Sequence, residues 1–239
     1  MKLELLALAT ARGKKVAVLD YEPRRSRRVA LVAGHGYSSS KHNLDMLCAF
    51  LAAQGFRVLS LDFPGHKLGA SGGRLDSIDD LTEAMGAALQ YARERYGGVV
   101  YALGHSMGAT TALRACAADP AVAGAIAIAS GYGRPGALLA LAAKGTVDLR
   151  SSYVDGLTLP ELAEQTHAVL DRALAGLAGR PALYVAAERD MMVSRASARE
   201  LFERAPEPKT FVSVDSDHTY AAENARAAVL AWLNERHPR

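Results

Sequence analysis

Short apolar runs, each closed by glycine or by charge, recur along the chain at residues 3–8, 15–20, 29–33, 57–62, 99–103, 123–129, 182–187 and 210–214. Their length and branched side chains predict strands. From the third run onward the chain passes into helical periodicity, clearest at 41–54, 77–96, 107–118, 195–204 and 220–236. Strands alternating with helices predict an α/β fold with an eight-stranded, mostly parallel sheet covered on both faces. No helix separates the first two runs, which predicts an antiparallel hairpin at the sheet edge. Residues 134–180 interrupt the alternation, and there Leu162, Val169, Leu170, Ala173, Leu174 and Leu177 fall on one helical face. Such an insertion serves either as a small cap over the strand ends or as an extra packing helix. The whole chain, 1–239, is expected to form a single domain.

Composition narrows the class. Half of the 239 residues are hydrophobic and 22% are charged, enough apolar surface for one sizeable core and far from the disordered regime. The net charge is only +3, and the densest basic cluster, Arg24, Arg25, Arg27 and Arg28, lies between two apolar runs. A solvated loop is expected there, and no nucleic acid partner, because neither aromatic interleaving nor an amphipathic stripe accompanies it. Cys48 and Cys116 lack metal-type spacing and read as buried small hydrophobes. The apolar stretch at residues 5–9 is too short for a signal segment, and no run is long enough to span a bilayer, so a cytoplasmic protein without a transmembrane segment is expected. Oligomeric state leaves no trace in the pattern.

The segment "LGHSMGA", residues 103–109, sets Ser106 between Gly104 and Gly108 at the G-x-S-x-G spacing. In a chain with 21 glycines the pattern means little without context. Here an apolar run precedes it and a helical stretch follows, which predicts a sharp strand-to-helix turn exposing the Ser106 hydroxyl at the C-terminal edge of the sheet. A serine hydroxyl needs a base to react at neutral pH, and the base needs an orienting carboxylate. His218 follows the last expected strand, and Asp190 follows the one before it. Glu188, Asp215 and Asp217 compete with Asp190 for the acid's place, and Asp217 is expected to cap the last helix instead. The backbone N–H groups of Met107 and of Tyr37, in the loop "GHGYSSSKHN", are the expected oxyanion donors. His105 is assigned to packing. Met191, Met192 and Leu138, with Leu139 and Leu141, read equally well as the lining of an acyl pocket or as core.

Taken together, the strand order, the His35-Gly36 loop, "GHSMG", the late aspartate and the final histidine resemble the α/β-hydrolase superfamily over essentially the whole chain. "LDFPGHKLGASGG", residues 61–73, is similar to the D-x-x-G-H-G-x-S-x-G segment of monoacylglycerol-lipase-like and cinnamoyl-esterase-like members, with one extra residue before Ser71. In that family Asp62 and Ser71 would hold the loop rather than react. The resemblance implies a serine carboxylesterase, with Ser106 as nucleophile, His218 as base and Asp190 as its orienting acid. Its substrate would be a small ester with a short-to-medium acyl chain or an aromatic acid, and it would need no metal or organic cofactor. A thioesterase, an acyltransferase, a peptidase or a carbon–carbon bond hydrolase would use the same residues. A different class, the dinucleotide-binding oxidoreductases, is suggested by "GYGRPG" at residues 131–136. It follows a late strand, contains Pro135 and lacks an acidic residue about 20 positions on, all against that class.

Overall fold

The computed structural model describes residues 1–133 and 146–238, with residues 146–148 described through their backbone alone. Eight strands form one sheet: β1 (Lys2–Ala9), β2 (Lys15–Glu22), β3 (Val29–Gly34), β4 (Arg57–Leu61), β5 (Val99–His105), β6 (Ala125–Ile128), β7 (Ala182–Ala187) and β8 (Lys209–Val214). Their spatial order is β1-β2-β4-β3-β5-β6-β7-β8. The β1–β2 hairpin is antiparallel and sits at the edge, β2 runs antiparallel to β4, and every other pairing is parallel.

The central strands read as unbroken apolar runs because both of their faces are buried. In β3, Ala30 and Val32 enter one core while Val29, Leu31 and Ala33 enter the other. In β5, Val100 and Ala102 face the first and Tyr101 and Leu103 the second. The period-two alternation survives as a division between two cores, not between core and water. Helices α2 (Ile78–Tyr96) and α3 (Met107–Ala118) close the first face with residues such as Leu81, Met85, Ala112 and Leu113. The second face is covered by α1 (Asp45–Ala53) and the C-terminal helix, through Leu47, Leu51, Val229 and Trp232.

Several boundaries differ from the sequence expectation. The 41–54 stretch opens with a tight 3-10 turn, Lys41–Leu44, before α1, because the Lys41 backbone and side chain are both tied to Asp62. The inserted segment holds a short α4 (Thr146–Ser151) and a long α5 (Leu159–Ala175). A reciprocal pair of hydrogen bonds between Thr158 and Glu161 starts α5. Its Leu170 and Leu174 join the first core, so α5 packs on the body of the fold and also walls the pocket described below. Helix α6 (Arg195–Arg204) follows β7, and the C-terminal pattern divides into α7 (Ala221–Asn224) and α8 (Arg226–Arg236).

In the basic cluster Arg24, Arg25 and Arg28 are exposed, but Arg27 is not simply solvated. Its guanidinium lies 4.4 Å from the Phe56 ring centre and donates to Asn234 Oδ1 at 2.7 Å, since a desolvated aromatic face attracts a cation. Cys48 and Cys116 are buried free thiols whose burial pushes their pKa up, to about 12 and about 11. Among the described residues no helix is long and apolar enough to cross a membrane.

Candidate active site

Ser106 occupies the single residue between β5 and α3. It carries φ 56° and ψ −117°, a conformation that L-residues rarely adopt. The turn is this tight because the flanking glycines leave no room for side chains. A Cβ on Gly104 would lie 1.9 Å from the Gly108 carbonyl oxygen, and one on Gly108 would lie 2.1 Å from that of Gly34. Strand and helix therefore meet through bare backbone, and the Ser106 side chain is thrown forward into a pocket at the C-terminal edge of the sheet.

Two later strand ends bring in its neighbours. His218, after β8, places Nε2 3.0 Å from Ser106 Oγ. Its Nδ1 lies 2.7 Å from Asp190 Oδ2 in the turn after β7. The Asp190 side chain is 1% exposed, and its other oxygen accepts the Met192 and Val193 backbone N–H groups at 2.7 and 2.8 Å. These bonds fix the carboxylate, which then requires the proton of His218 on Nδ1 and leaves Nε2 to accept from the serine hydroxyl. Two of the competing carboxylates are engaged elsewhere: Asp215 pairs with Arg189, and Asp217 accepts the Tyr220 N–H near the start of α7. His105, read as packing from the sequence, also has a polar task. Its Nε2–H donates to the His218 carbonyl at 2.7 Å, and burial, with the neighbouring His218 ring, pushes its pKa down to about 4. Only the fold brings these two histidines together, so the sequence held no signal for the bond.

The loop after β3 closes over Ser106, with Gly36 so near that an added Cβ would sit 3.4 Å from Ser106 Cβ. Beneath it His35 is fully buried, and burial pushes its pKa down to about 3. The Phe63 N–H donates to His35 Nε2 at 3.1 Å, so the ring proton resides on Nδ1 and is donated to the Gly36 carbonyl at 2.7 Å. In a trans peptide the carbonyl and the following N–H point in opposite directions. Tying the Gly36 carbonyl down to His35 thus directs the Tyr37 N–H away from the ring. Neither the Tyr37 nor the Met107 N–H donates to a backbone acceptor among the described residues.

Asp62 braces this loop from behind. It accepts from Lys41 Nζ at 2.6 Å, from the Lys41 N–H at 2.7 Å and from the Ala70 N–H at 2.8 Å. Burial alone would raise its pKa, but these donors hold it below the usual carboxylate range. Ser71 Oγ donates to the Asp62 carbonyl at 2.6 Å and accepts the Ala17 N–H at 2.8 Å. Between them the extra residue is taken up by a turn in which the Gly69 N–H reaches the His66 carbonyl at 3.0 Å.

The pocket beside Ser106 has a volume of about 410 Å3. Its walls come from α5 through Leu159, Leu162, Ala163 and Leu170, and from Met192 and Val193 after β7. Met192 therefore lines it, whereas Met191 is 86% exposed and turns away, because Asp190 Oδ1 accepts the Met192 and Val193 N–H groups and winds the chain tightly there. Leu138, Leu139 and Leu141 lie outside the described residues. So does part of "GYGRPG", whose Gly131, Tyr132 and Gly133 line the same pocket.

Solved structures of the same fold include an esterase of Pyrococcus furiosus, at 16% identity and a TM-score of 0.73 over 98% of this chain and 89% of that one. The esterase domain of a Rhodothermus marinus protein matches at 23% identity and a TM-score of 0.72, covering 98% of this chain and 99% of that one. A hypothetical protein of Pseudomonas aeruginosa gives 17% identity and a TM-score of 0.76 over 99% and 94% of the two chains. At these identities the likeness is one of fold. No curated protein matches the sequence. Residues 25–169, more than half of the sequence, match the family described as serine aminopeptidase, S33, and the chain therefore belongs to that family of α/β hydrolases.

Proposed function

We propose that the protein is a serine ester hydrolase that works through an acyl-enzyme. The observation that carries the reading is the continuous chain of hydrogen bonds from Asp190 through His218 to a strained Ser106 facing a pocket. His218 Nε2 takes the hydroxyl proton as Ser106 Oγ bonds to the acyl carbon. The oxyanion so formed is held by the Tyr37 and Met107 N–H groups and by the positive end of α3. When the intermediate collapses, His218 returns the proton to the departing alkoxide and alcohol leaves. A water, deprotonated by the same imidazole, then attacks the acyl carbon and frees the acid and Ser106. In this reading α5 belongs to a small cap and forms its pocket wall.

The family's name points to peptides, but the pocket favours neutral esters. No carboxylate is present among its described lining residues to receive a substrate's α-ammonium. The test is labelling with a fluorophosphonate probe and peptide mapping, beside p-nitrophenyl esters of graded chain length, thioesters and aminoacyl nitroanilides. Labelling confined to Ser106, with ester turnover that Ser106→Ala abolishes, is the expected result. Labelling at another residue, or turnover of aminoacyl anilides alone, refutes the assignment.

A further inference from the structure

The described residues lining the pocket include no lysine, arginine, aspartate or glutamate, and most of their polar side chains are already satisfied within the protein. Thr110 Oγ1 donates to the Met107 carbonyl at 3.0 Å, Tyr132 Oη to Asp171 at 2.8 Å and Ser197 Oγ to the Tyr132 carbonyl at 2.6 Å. Three groups stand apart. The side chains of Ser130, Thr166 and His167 have no hydrogen-bond partner among the described residues, and His167 Nδ1 is buried as well as unpaired.

These three come from two different elements of the pocket wall. Thr166 and His167 are consecutive on α5, within one turn of Leu162, Ala163 and Leu170, so they form a polar break in an apolar stripe at helical spacing. Ser130, only 8% exposed, follows β6 and lines the same pocket. The His167 ring is held edge to face against Tyr132, with centroids 5.6 Å apart, which restricts its tilt. Polar groups in partly buried sites are normally paired, and leaving them unpaired costs free energy that a bound group able to donate and accept recovers. With no charged side chain among the described lining residues, the complementary group is a neutral oxygen.

We propose that Ser130, Thr166 and His167 form a specificity site that selects an aliphatic acyl chain carrying a hydroxyl or keto oxygen over the plain chain of equal length. The proposal rests on the reading of Ser106 as an acyl-transferring nucleophile. The apolar walls take the chain, and the three polar groups set which chains are preferred. An unsubstituted chain binds with those groups unpaired, so it is penalised on entry.

The experiment compares kcat/KM for p-nitrophenyl hexanoate with that for its 3-hydroxy and 5-oxo counterparts, in the wild type, in His167→Phe and in Ser130→Ala/Thr166→Val, each checked for folding by circular dichroism. The expected result is a wild-type preference of about tenfold for one of the oxygenated esters, falling to within about twofold in both variants. Parity across the panel in the wild type overturns the proposal, as does a preference that survives both variants or that follows a hydroxyl on the alcohol side instead. The same esters are titrated into Ser106→Ala by calorimetry, where binding is read without chemistry. Tighter binding of an oxygenated ester supports the site even if fluorophosphonate labelling fails and the hydrolase reading falls. Equal binding, beside normal labelling, rejects the site alone.

Discussion

Replacing Ser106 by glycine is expected to leave the protein more stable than replacing it by alanine, the reverse of the usual order. At φ 56° and ψ −117° any side chain with a Cβ is strained, at a cost of about 1–3 kcal/mol. Alanine keeps that strain and glycine removes it. Against this, glycine gives the unfolded chain extra freedom worth about 0.5–1 kcal/mol. It also gives up a partly buried Cβ, roughly half of the ~0.8 kcal/mol for a buried methylene. Both variants lose the bond to His218 Nε2 equally, so that term cancels in the comparison. Central values leave glycine ahead by about 1 kcal/mol, which in a chain of this length raises Tm by about 2–4 °C. The assay is differential scanning calorimetry of the two purified variants at pH 7.5, with reversibility checked by a second scan. An alanine variant as stable as the glycine variant, or more so, would refute the argument that the Ser106 turn stores strain.

Two further outcomes follow from the histidines beneath and beside Ser106. His35→Asn retains a donor near the Nδ1 position for the Gly36 carbonyl and His35→Leu does not, so kcat for ester hydrolysis is expected to fall about tenfold or less in the first and at least 100-fold in the second, with KM little changed. Equal losses in both, or losses in KM alone, would mean that the imidazole does not orient the Tyr37 peptide. Burial pushes His66 and His105 from 6.5 down to about 4, so below pH 6.5 the unfolded chain takes up protons that the fold resists. The stability these two contribute is therefore complete above about pH 6.5, declines as the pH falls toward 4 and levels below it, with His66 alone accounting for at most about 3 kcal/mol. Urea denaturation at pH 7.5, 5.5 and 4.5 reads the slope, and His66→Phe should reduce it; an unchanged slope in that variant would show that His66 is not held neutral.

Local chemistry in the chain determined much of this. Apolar runs between turn residues mark the strands because parallel strands buried on both faces leave few polar positions. The glycines around Ser106 mark a turn because no other residue permits its backbone contacts. The placement of serine, aspartate and histidine after β5, β7 and β8 also puts them at one edge, since parallel strands all end on the same side. Other features depended on meetings between distant segments. The tie from His105 to the His218 carbonyl spans 113 positions, and His35 acquires its tautomer from an N–H 28 positions away. Sequence periodicity showed that one side of α5 was apolar, but not that the helix serves core and pocket together or that Thr166 and His167 interrupt its pocket wall. It likewise could not separate Met191 from Met192: the two are chemically identical, and only the turn wound around Asp190 sends one into the pocket and the other into solvent.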